Sequence, residues 1–409
     1  MPTACRSAPR VAATASLLAL AVTAAACGGS SSGGKPSSSG SSSTATNAAA
    51  KGACKLASPP QSAAKTPPTA AAAKASGKVG VILPDTTSST RYTLYDAPQL
   101  KSALSAAGIT PDVQNAGGST ARFQAIAQSM IGEGVKVLII DSIDATSGAA
   151  VEKQAAQAGI KVIDYDRVNL GGTAQYYVAF DSVDVGRLMG QTLVACLDQD
   201  GVSNPKIIMM DGGKDVDNNA ILFAQGSNDV LRPLQSQGKL KILSESVVKG
   251  WTISNAAPTF TQALTAAGGK VDGVVAANDD IANAVIGVLK SNGLAGHVAI
   301  TGQDSGVEGL QNILNGQQSM TVFKDVKLEA KAAAALAIAL ISGKTPAAAG
   351  LTMSPFADPK TPSHKIQALL LPTHVITQAN VMDVVNAGAL TVAEVCKGIE
   401  SACAANGVK

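Results

Sequence analysis

The feature that most constrains this 409-residue chain is a beat: short apolar runs that stop on a carboxylate or an amide, each followed by an amphipathic helical stretch. Val79 to Leu83 reads as a strand, and Pro98 to Gly108 reads as a helix with Leu100, Ala103, Leu104 and Ala107 on one face and Gly108 closing it. Thr120 to Gly132 repeats the helical pattern, Val135 to Ile140 is a continuous apolar strand ending at Asp141, Ala149 to Ala158 is a helix, and Ile160 to Ile163 is a strand ending at Asp164. After Phe180 the beat starts afresh. Helices Asp184 to Leu197, Asn219 to Gln237, Asn255 to Ala267 and Asp280 to Asn292 alternate with strands Lys206 to Met210, Leu240 to Glu245, Gly273 to Ala277 and Val298 to Thr301. Repeated β-α units imply mostly parallel sheets with right-handed crossovers. A single core stops growing near roughly 250 to 300 residues, so two sets imply an α/β protein of two doubly wound, Rossmann-like lobes. The make-up agrees: 46% hydrophobic with only 3% aromatic residues suits buried parallel strands under small-residue helices.

The amino terminus reads as an export signal, with Arg6 and Arg10 ahead of an apolar run from Val11 to Val22 that is too short to span a bilayer. The run ends in Ala24-Ala25-Ala26-Cys27, which is similar to the lipobox of bacterial lipoproteins, although Ala24 stands where Leu is usual. The resemblance implies cleavage before Cys27, lipid on that cysteine and an extracytoplasmic, membrane-anchored protein. From Gly28 to about Ser76 the chain is Ser, Gly, Ala and Pro with scattered lysines, a composition that cannot bury enough apolar surface to fold and reads as a tether. Cys54, Cys196, Cys396 and Cys403 remain in the body. Export permits disulfides, and three pairings are open, one of which joins Cys396 to Cys403 and Cys54 to Cys196.

The strand ends carry Pro84-Asp85-Thr86, Asp141-Ser142, Asp164-Tyr165-Asp166-Arg167, Asp211-Gly212-Gly213, Ala277-Asn278-Asp279 and Gly302-Gln303-Asp304, where open α/β sheets place ligands. These are carboxylates, amides and an arginine. Sugar hydroxyls both donate and accept, so they call for Asp, Asn, Arg or Lys, with an aromatic plate for the apolar C–H faces. Trp251, the one tryptophan, follows Lys249-Gly250 in a loop and can serve as that plate or as core filler. Other chemistries fit poorly. A formal net charge of +3 without a Lys/Arg block argues against nucleic acid. Asp215, Asp217 and Asn219 imitate a calcium loop, but Ala220 and Gly226 replace its glycine and its bidentate glutamate. Gly212-Gly213-Lys214 lacks the spacing of a phosphate loop. None of His297, His364 and His374 stands in a strand-end turn beside a nucleophile. The expectation is a binding protein without cofactor, metal or turnover.

Tyr165-Asp166-Arg167, Val216-Asp217-Asn218-Asn219-Ala220, Gly250-Trp251, Ala277-Asn278-Asp279, Gly302-Gln303-Asp304 and Thr321-Val322-Phe323-Lys324 occur in an order and spacing that resemble bacterial periplasmic xylose-binding proteins, from about Lys78 to about Lys324. That family is of the ribose- and galactose-binding type, two lobes joined by a three-segment hinge that close on a sugar. The resemblance implies ligand contacts from Arg91, Asp166, Arg167, Asn219, Asn278, Asp304 and Lys324, with Trp251 stacking on the ring and Tyr92 as a second, smaller plate where the family carries Trp. Asn278 is expected to face the sugar while Asp279 or Asp280 caps the next helix. The expected organisation is signal 1–27, tether 28–77, a first lobe from 78–182 plus 323–352, a second lobe from 183–322 plus 353–395, and a tail 396–409. The partners implied are a monosaccharide, D-xylose first and ribose, arabinose, glucose or galactose as alternatives, and an ABC transporter permease served by a monomer. A chemosensory or signalling receptor is the rival partner. Repressors built on the same core begin with a DNA-binding helix-turn-helix, and here a signal and tether stand in that place.

Overall fold

The computed structural model describes residues 52–63 and 74–409; Cys27 and most of the tether lie outside them. The first lobe opens with β1 (Lys78–Leu83), then a single π-helical turn over Tyr92–Asp96 that runs into α1 (Ala97–Ala106). It continues through β2 (Thr110–Asn115), α2 (Thr120–Gly132), β3 (Val137–Ile140), α3 (Ala145–Gln157), β4 (Lys161–Tyr165) and β5 (Tyr176–Phe180). The second lobe is α4 (Ser182–Gln199), β6 (Lys206–Asp211), α5 (Asn218–Ser236), β7 (Lys241–Val247), α6 (Ala256–Ala266), β8 (Gly273–Ala276), α7 (Asp279–Ser291), β9 (Ala299–Ile300), α8 (Val307–Leu314) and β10 (Thr321–Phe323). The chain then returns to the first lobe as α9 (Val326–Ile341), β11 (Ser354–Ala357) and β12 (Lys365–Leu371). It ends in the second lobe with β13 (His374–Ile376), α10 (Met382–Asn386), α11 (Val392–Cys396) and α12 (Glu400–Ala405).

The first sheet has the order β11-β12-β5-β4-β3-β1-β2 and the second β7-β6-β8-β9, while β10 and β13 form an antiparallel pair of their own. The chain therefore passes between lobes three times, after β5, after β10 and after β12. Each lobe has its own apolar core, one around Val79, Ile139, Tyr165, Val178 and Leu336, the other around Ile208, Phe260, Val274, Ile281 and Val322.

Three details differ from the sequence reading. Residues 354–371 build into the first sheet, not the second lobe: β12 pairs in parallel with β5 and β11 closes the edge antiparallel to β12. The apolar run Ile366 to Leu371 covers what would be an open edge of β5, the usual place for a lone antiparallel strand to follow. β2 was not anticipated, because Thr-Pro-Asp-Val-Gln-Asn is polar and contains a proline; an edge strand tolerates both. The tail 396–409, given no element above, starts at the last residue of α11 and carries a further short helix, α12.

The disulfides are Cys54–Cys196 and Cys396–Cys403. The second lets the tail fold back on α8, where Leu310, Ile313, Val384, Val395 and Cys403 form a small core. The first fastens the strap of residues 52–63 to α4. Gly52 N–H donates to Gly296 O at 3.0 Å, Gln378 N–H to Cys54 O at 3.1 Å, and Ser62 Oγ and Ala63 N both to Asp184 Oδ2 at 2.8 Å. The strap thus lies on the second lobe although Lys78, not far downstream, opens the first.

Candidate ligand cavity

Strand ends and helix starts of both lobes converge on a narrow polar cavity. Arg91, Tyr92, Asp166, Arg167, Asn219, Trp251, Asn278, Asp304 and Lys324 all line it. Ser88, Ser89, Asp217, Phe223 and Gln303 complete the wall.

On the first lobe the wall is an ion network. The π-helical turn before α1 brings Arg91, 2% exposed, against three carboxylates. Its Nε and Nη2 donate to Asp96 at 2.8 and 2.7 Å, Nη2 also donates to Glu329 at 2.5 Å, and Nη1 donates to Asp166 at 3.2 Å. Asp96 accepts a further bond from the Tyr165 hydroxyl at 2.6 Å. The Tyr92 hydroxyl donates to Asp166 Oδ2 at 2.8 Å and accepts from Arg167 Nη2 at 3.1 Å, with the guanidinium carbons of Arg167 and Arg91 at 5.5 and 5.6 Å from its ring centroid. Tyr92 is therefore as much a member of the network as an aromatic plate. Burial would raise the Asp166 carboxyl, but the charges of Arg91, Lys324 and Arg167 outweigh it and hold Asp166 at about 2. Burial pushes Glu329 up to about 8 against the pull of Arg91.

On the second lobe, caps and turns position the groups. Asn278 precedes α7 and its Oδ1 accepts the Ile281 N–H at 2.9 Å, so Asn278 itself is the cap that was expected of Asp279 or Asp280. Its Nδ2 still faces the other lobe, 3.4 Å from Ser88 O. Asp279 turns inward and accepts from Gln318 Nε2 at 2.8 Å, Thr321 Oγ1 at 3.1 Å and Gly306 N at 3.1 Å. Burial and the nearby Asp304 raise Asp279 to about 8. Asp217 caps α5 through the Asn219 N–H at 2.8 Å, and its Oδ2 accepts the Trp251 indole N–H at 3.0 Å. Trp251 is 5% exposed and packs in the second core while lining the cavity. Its indole lies so close to Gly212 and Gly213 that a Cβ on either would come within 2.1 and 2.8 Å of it. Two glycines after β6 are thus the bed of the tryptophan.

Backbone strain collects here. Asp166, Trp251 and Asp304 have φ of 59°, 53° and 92°, Ser305 beside them has 56°, and among the described residues only Asn204 is another non-glycine with positive φ. Asp304 receives Lys324 Nζ at 2.7 Å, and Lys324 lies 5.8 Å from the Phe223 ring centroid.

The lobes touch. Asn219 commits its amide to the first lobe, Nδ2 donating to Asp166 O at 2.6 Å and Oδ1 accepting from the Tyr177 hydroxyl at 3.1 Å. Ser89 Oγ donates to Asp304 at 3.2 Å, and Arg167 Nε stands 3.4 Å from Asp217 Oδ2. The cleft is shut.

Residues missed by sequence reasoning carried some signal. Asp217 and Gln303 sat inside motifs already singled out, and Phe223 lies one helical turn after Asn219 on the same face of α5. Ser88 and Ser89 lie in an irregular segment with no periodicity to read.

The periplasmic binding protein domain family matches residues 79–345. The D-xylose-binding periplasmic protein of Escherichia coli (strain K12) is 40% identical over 236 residues, 58% of this chain and 70% of that one. The multiple sugar-binding periplasmic receptor ChvE of Rhizobium radiobacter is 33% identical over 283 residues, 66% of this chain and 79% of that one. Among solved structures, a carbohydrate transporter solute binding protein from Chloroflexus aurantiacus, in complex with D-glucose, superposes with a TM-score of 0.71 at 27% identity, covering 78% of this chain and 98% of that one.

Proposed function

Because this chain belongs to the periplasmic binding protein domain family and is an extracytoplasmic sugar-binding protein, not an enzyme, we propose that it captures D-xylose between its lobes and delivers it to the permease of an ABC importer. The observation that carries this reading is the cavity itself, in which carboxylates of both lobes, two guanidiniums of the first and amides of the second meet beside an indole wall. Asp166 and Arg167 would serve the sugar's hydroxyls from one side, and Asn278 and Asp304 from the other, with Arg91, Asn219 and Lys324 completing the polar ring. Trp251 would cover one C–H face and Tyr92 flank the other.

A ligand bridging both lobes has more contacts in the shut state than in the open one, and that differential affinity is what drives closure. The permease would then read the shut pair of lobes. Calorimetry against a panel of aldopentoses and hexoses tests the reading; xylose should bind with the highest affinity. Binding of amino acids or peptides in place of any monosaccharide would overturn it. The similarity to a protein named as a receptor supports a second reading, service to a signalling partner. Disrupting the neighbouring permease and measuring sugar uptake separates the two. Cys27, after its small-residue run, would carry the lipid anchor, and mass spectrometry of the native amino terminus checks it.

A further inference from the structure

Arg167 is held to its own lobe at three points: Nη1 donates to Ser142 O at 3.3 Å, and Nη2 donates to Ser88 Oγ at 3.2 Å and to the Tyr92 hydroxyl at 3.1 Å. Its Nε–H, though fully buried, makes no hydrogen bond. It stands between two carboxylates, Asp217 Oδ2 of the second lobe at 3.4 Å and Asp141 Oδ1 of the first at 3.7 Å. Asp141 follows β3, is 0% exposed, does not line the cavity, and neither of its oxygens accepts a hydrogen bond. A buried carboxyl without a partner is costly, and so is a buried guanidinium N–H.

We propose that Asp141 sets ligand affinity from outside the cavity by competing with Asp217 for Arg167: Asp217 draws the arginine in the shut state, and Asp141 takes it when the lobes part. The proposal rests on the reading of the cleft as a closing sugar site. When the second lobe withdraws it carries Asp217 away, and Asp141 becomes the remaining carboxylate beside Nε. A shift of less than about 1 Å brings that pair to hydrogen-bonding distance. Closing reverses the exchange and leaves Asp141 without a hydrogen bond. Burial raises both carboxyls, Asp141 the more strongly, with Arg167 pulling each back, as expected where one cation faces two acids.

Asp217 also joins Arg167 to the indole of Trp251, so the exchange links the first lobe's arginine to the second lobe's plate. Asp141 is thus a positioning residue that favours the open state, and its removal should tighten binding. A structural residue at the same place would do the opposite when removed.

The test uses Asp141→Asn and Asp217→Asn in the full chain, with melting temperatures to check folding and Asp141→Ser as a second variant at the same position. Small-angle scattering of the sugar-free protein reads the balance of open and shut forms, and calorimetry reads the dissociation constant for D-xylose. Asp141→Asn should give a more compact sugar-free protein and bind xylose about 3- to 10-fold more tightly, because a larger fraction is competent to bind. Asp217→Asn, which keeps a good helix cap, should be more open and bind about tenfold more weakly. Weaker binding in both variants, or an unchanged radius of gyration in both, overturns the proposal. If the parent binds no sugar, the xylose reading fails, and the scattering comparison still decides the exchange.

Discussion

The two walls of the cleft are built on different principles. On the first lobe the side chains hold one another: Arg91 ties Asp96, Glu329 and Asp166, and Tyr92 ties Asp166 to Arg167. On the second lobe the backbone holds the side chains, through the caps at Asn278 and Asp217 and the left-handed turns at Trp251 and Asp304. A charge network fails as a set, because each member left behind is a buried ion without a partner. A wall of caps and turns loses its members one at a time.

The largest expected effect breaks that contrast most directly. Arg91→Met should cost about 3 to 5 kcal/mol of stability by removing the guanidinium that three buried acids share, read by urea unfolding. Its counterpart on the other wall, Asn278→Ala, removes one cap and should cost about 1 kcal/mol. Equal losses would mean that the walls do not differ in kind.

Next come the groups proposed to meet the sugar from each side. Arg167→Ala and Asp304→Ala should each weaken xylose binding at least about tenfold, since an unpaired buried group costs roughly 1 to 3 kcal/mol. Unchanged affinity in both folded variants would move the site elsewhere.

Acidity sets Asp166 of the first lobe and Asp279 of the second apart by sign. Asp166 is held at about 2, so its contribution to stability is present above the ordinary carboxylate range and is lost as pH falls from about 4 towards 2. Asp279 is raised to about 8, so its contribution is full below about 4 and is lost as pH rises through 8. Glu329, also raised to about 8, adds a slope of the same sign from the first lobe. Unfolding curves at several pH values should show Asp166→Asn flattening the acid limb and Asp279→Asn flattening part of the decline towards pH 8.

The smallest effect concerns Tyr92. Exchanging it for the tryptophan of the resembling family should shift the ratio of xylose to glucose dissociation constants towards xylose by no more than about 1 to 3 kcal/mol, the range for one extra carbon in a pocket. Calorimetry with both sugars reads it, and an unaltered ratio would remove Tyr92 from the specificity determinants.

What the sequence made legible follows the same divide. The alternation of apolar runs and helical faces exposed the two lobes, and the strand-end turns pointed to Asp166, Arg167, Asn278, Gln303 and Asp304, which share one cavity, but equally to Asp85, Asp141, Asp164 and Asp211, which do not line it; Arg91, Tyr92, Asn219 and Lys324 were named through the family resemblance. The networks behind them were not legible. Nothing in the spacing of Arg91, Asp96 and Glu329 says that they touch, because their contact depends on α9 returning to the first lobe and on a π-helical turn that no periodicity announces. The cap at Asn278 was assigned one or two residues late, to Asp279 or Asp280, for a related reason: Asn and Asp serve equally well at that place, and the inward turn of Asp279 towards Gln318 and Thr321 is not written in the spacing. β12 escaped notice because a strand that completes a sheet from a distant part of the chain carries no local mark of which lobe it joins.

The strap gives the molecule a load path. Tension in the chain ahead of Gly52 enters the second lobe at α4 through the Cys54–Cys196 bond before it reaches β1, which is hydrogen-bonded on both sides within the first sheet. A pull along that chain would therefore fall first on the second lobe. Reduction of that bond would leave the strap fastened to the second lobe by hydrogen bonds alone, at Gly52, Cys54, Ser62 and Ala63.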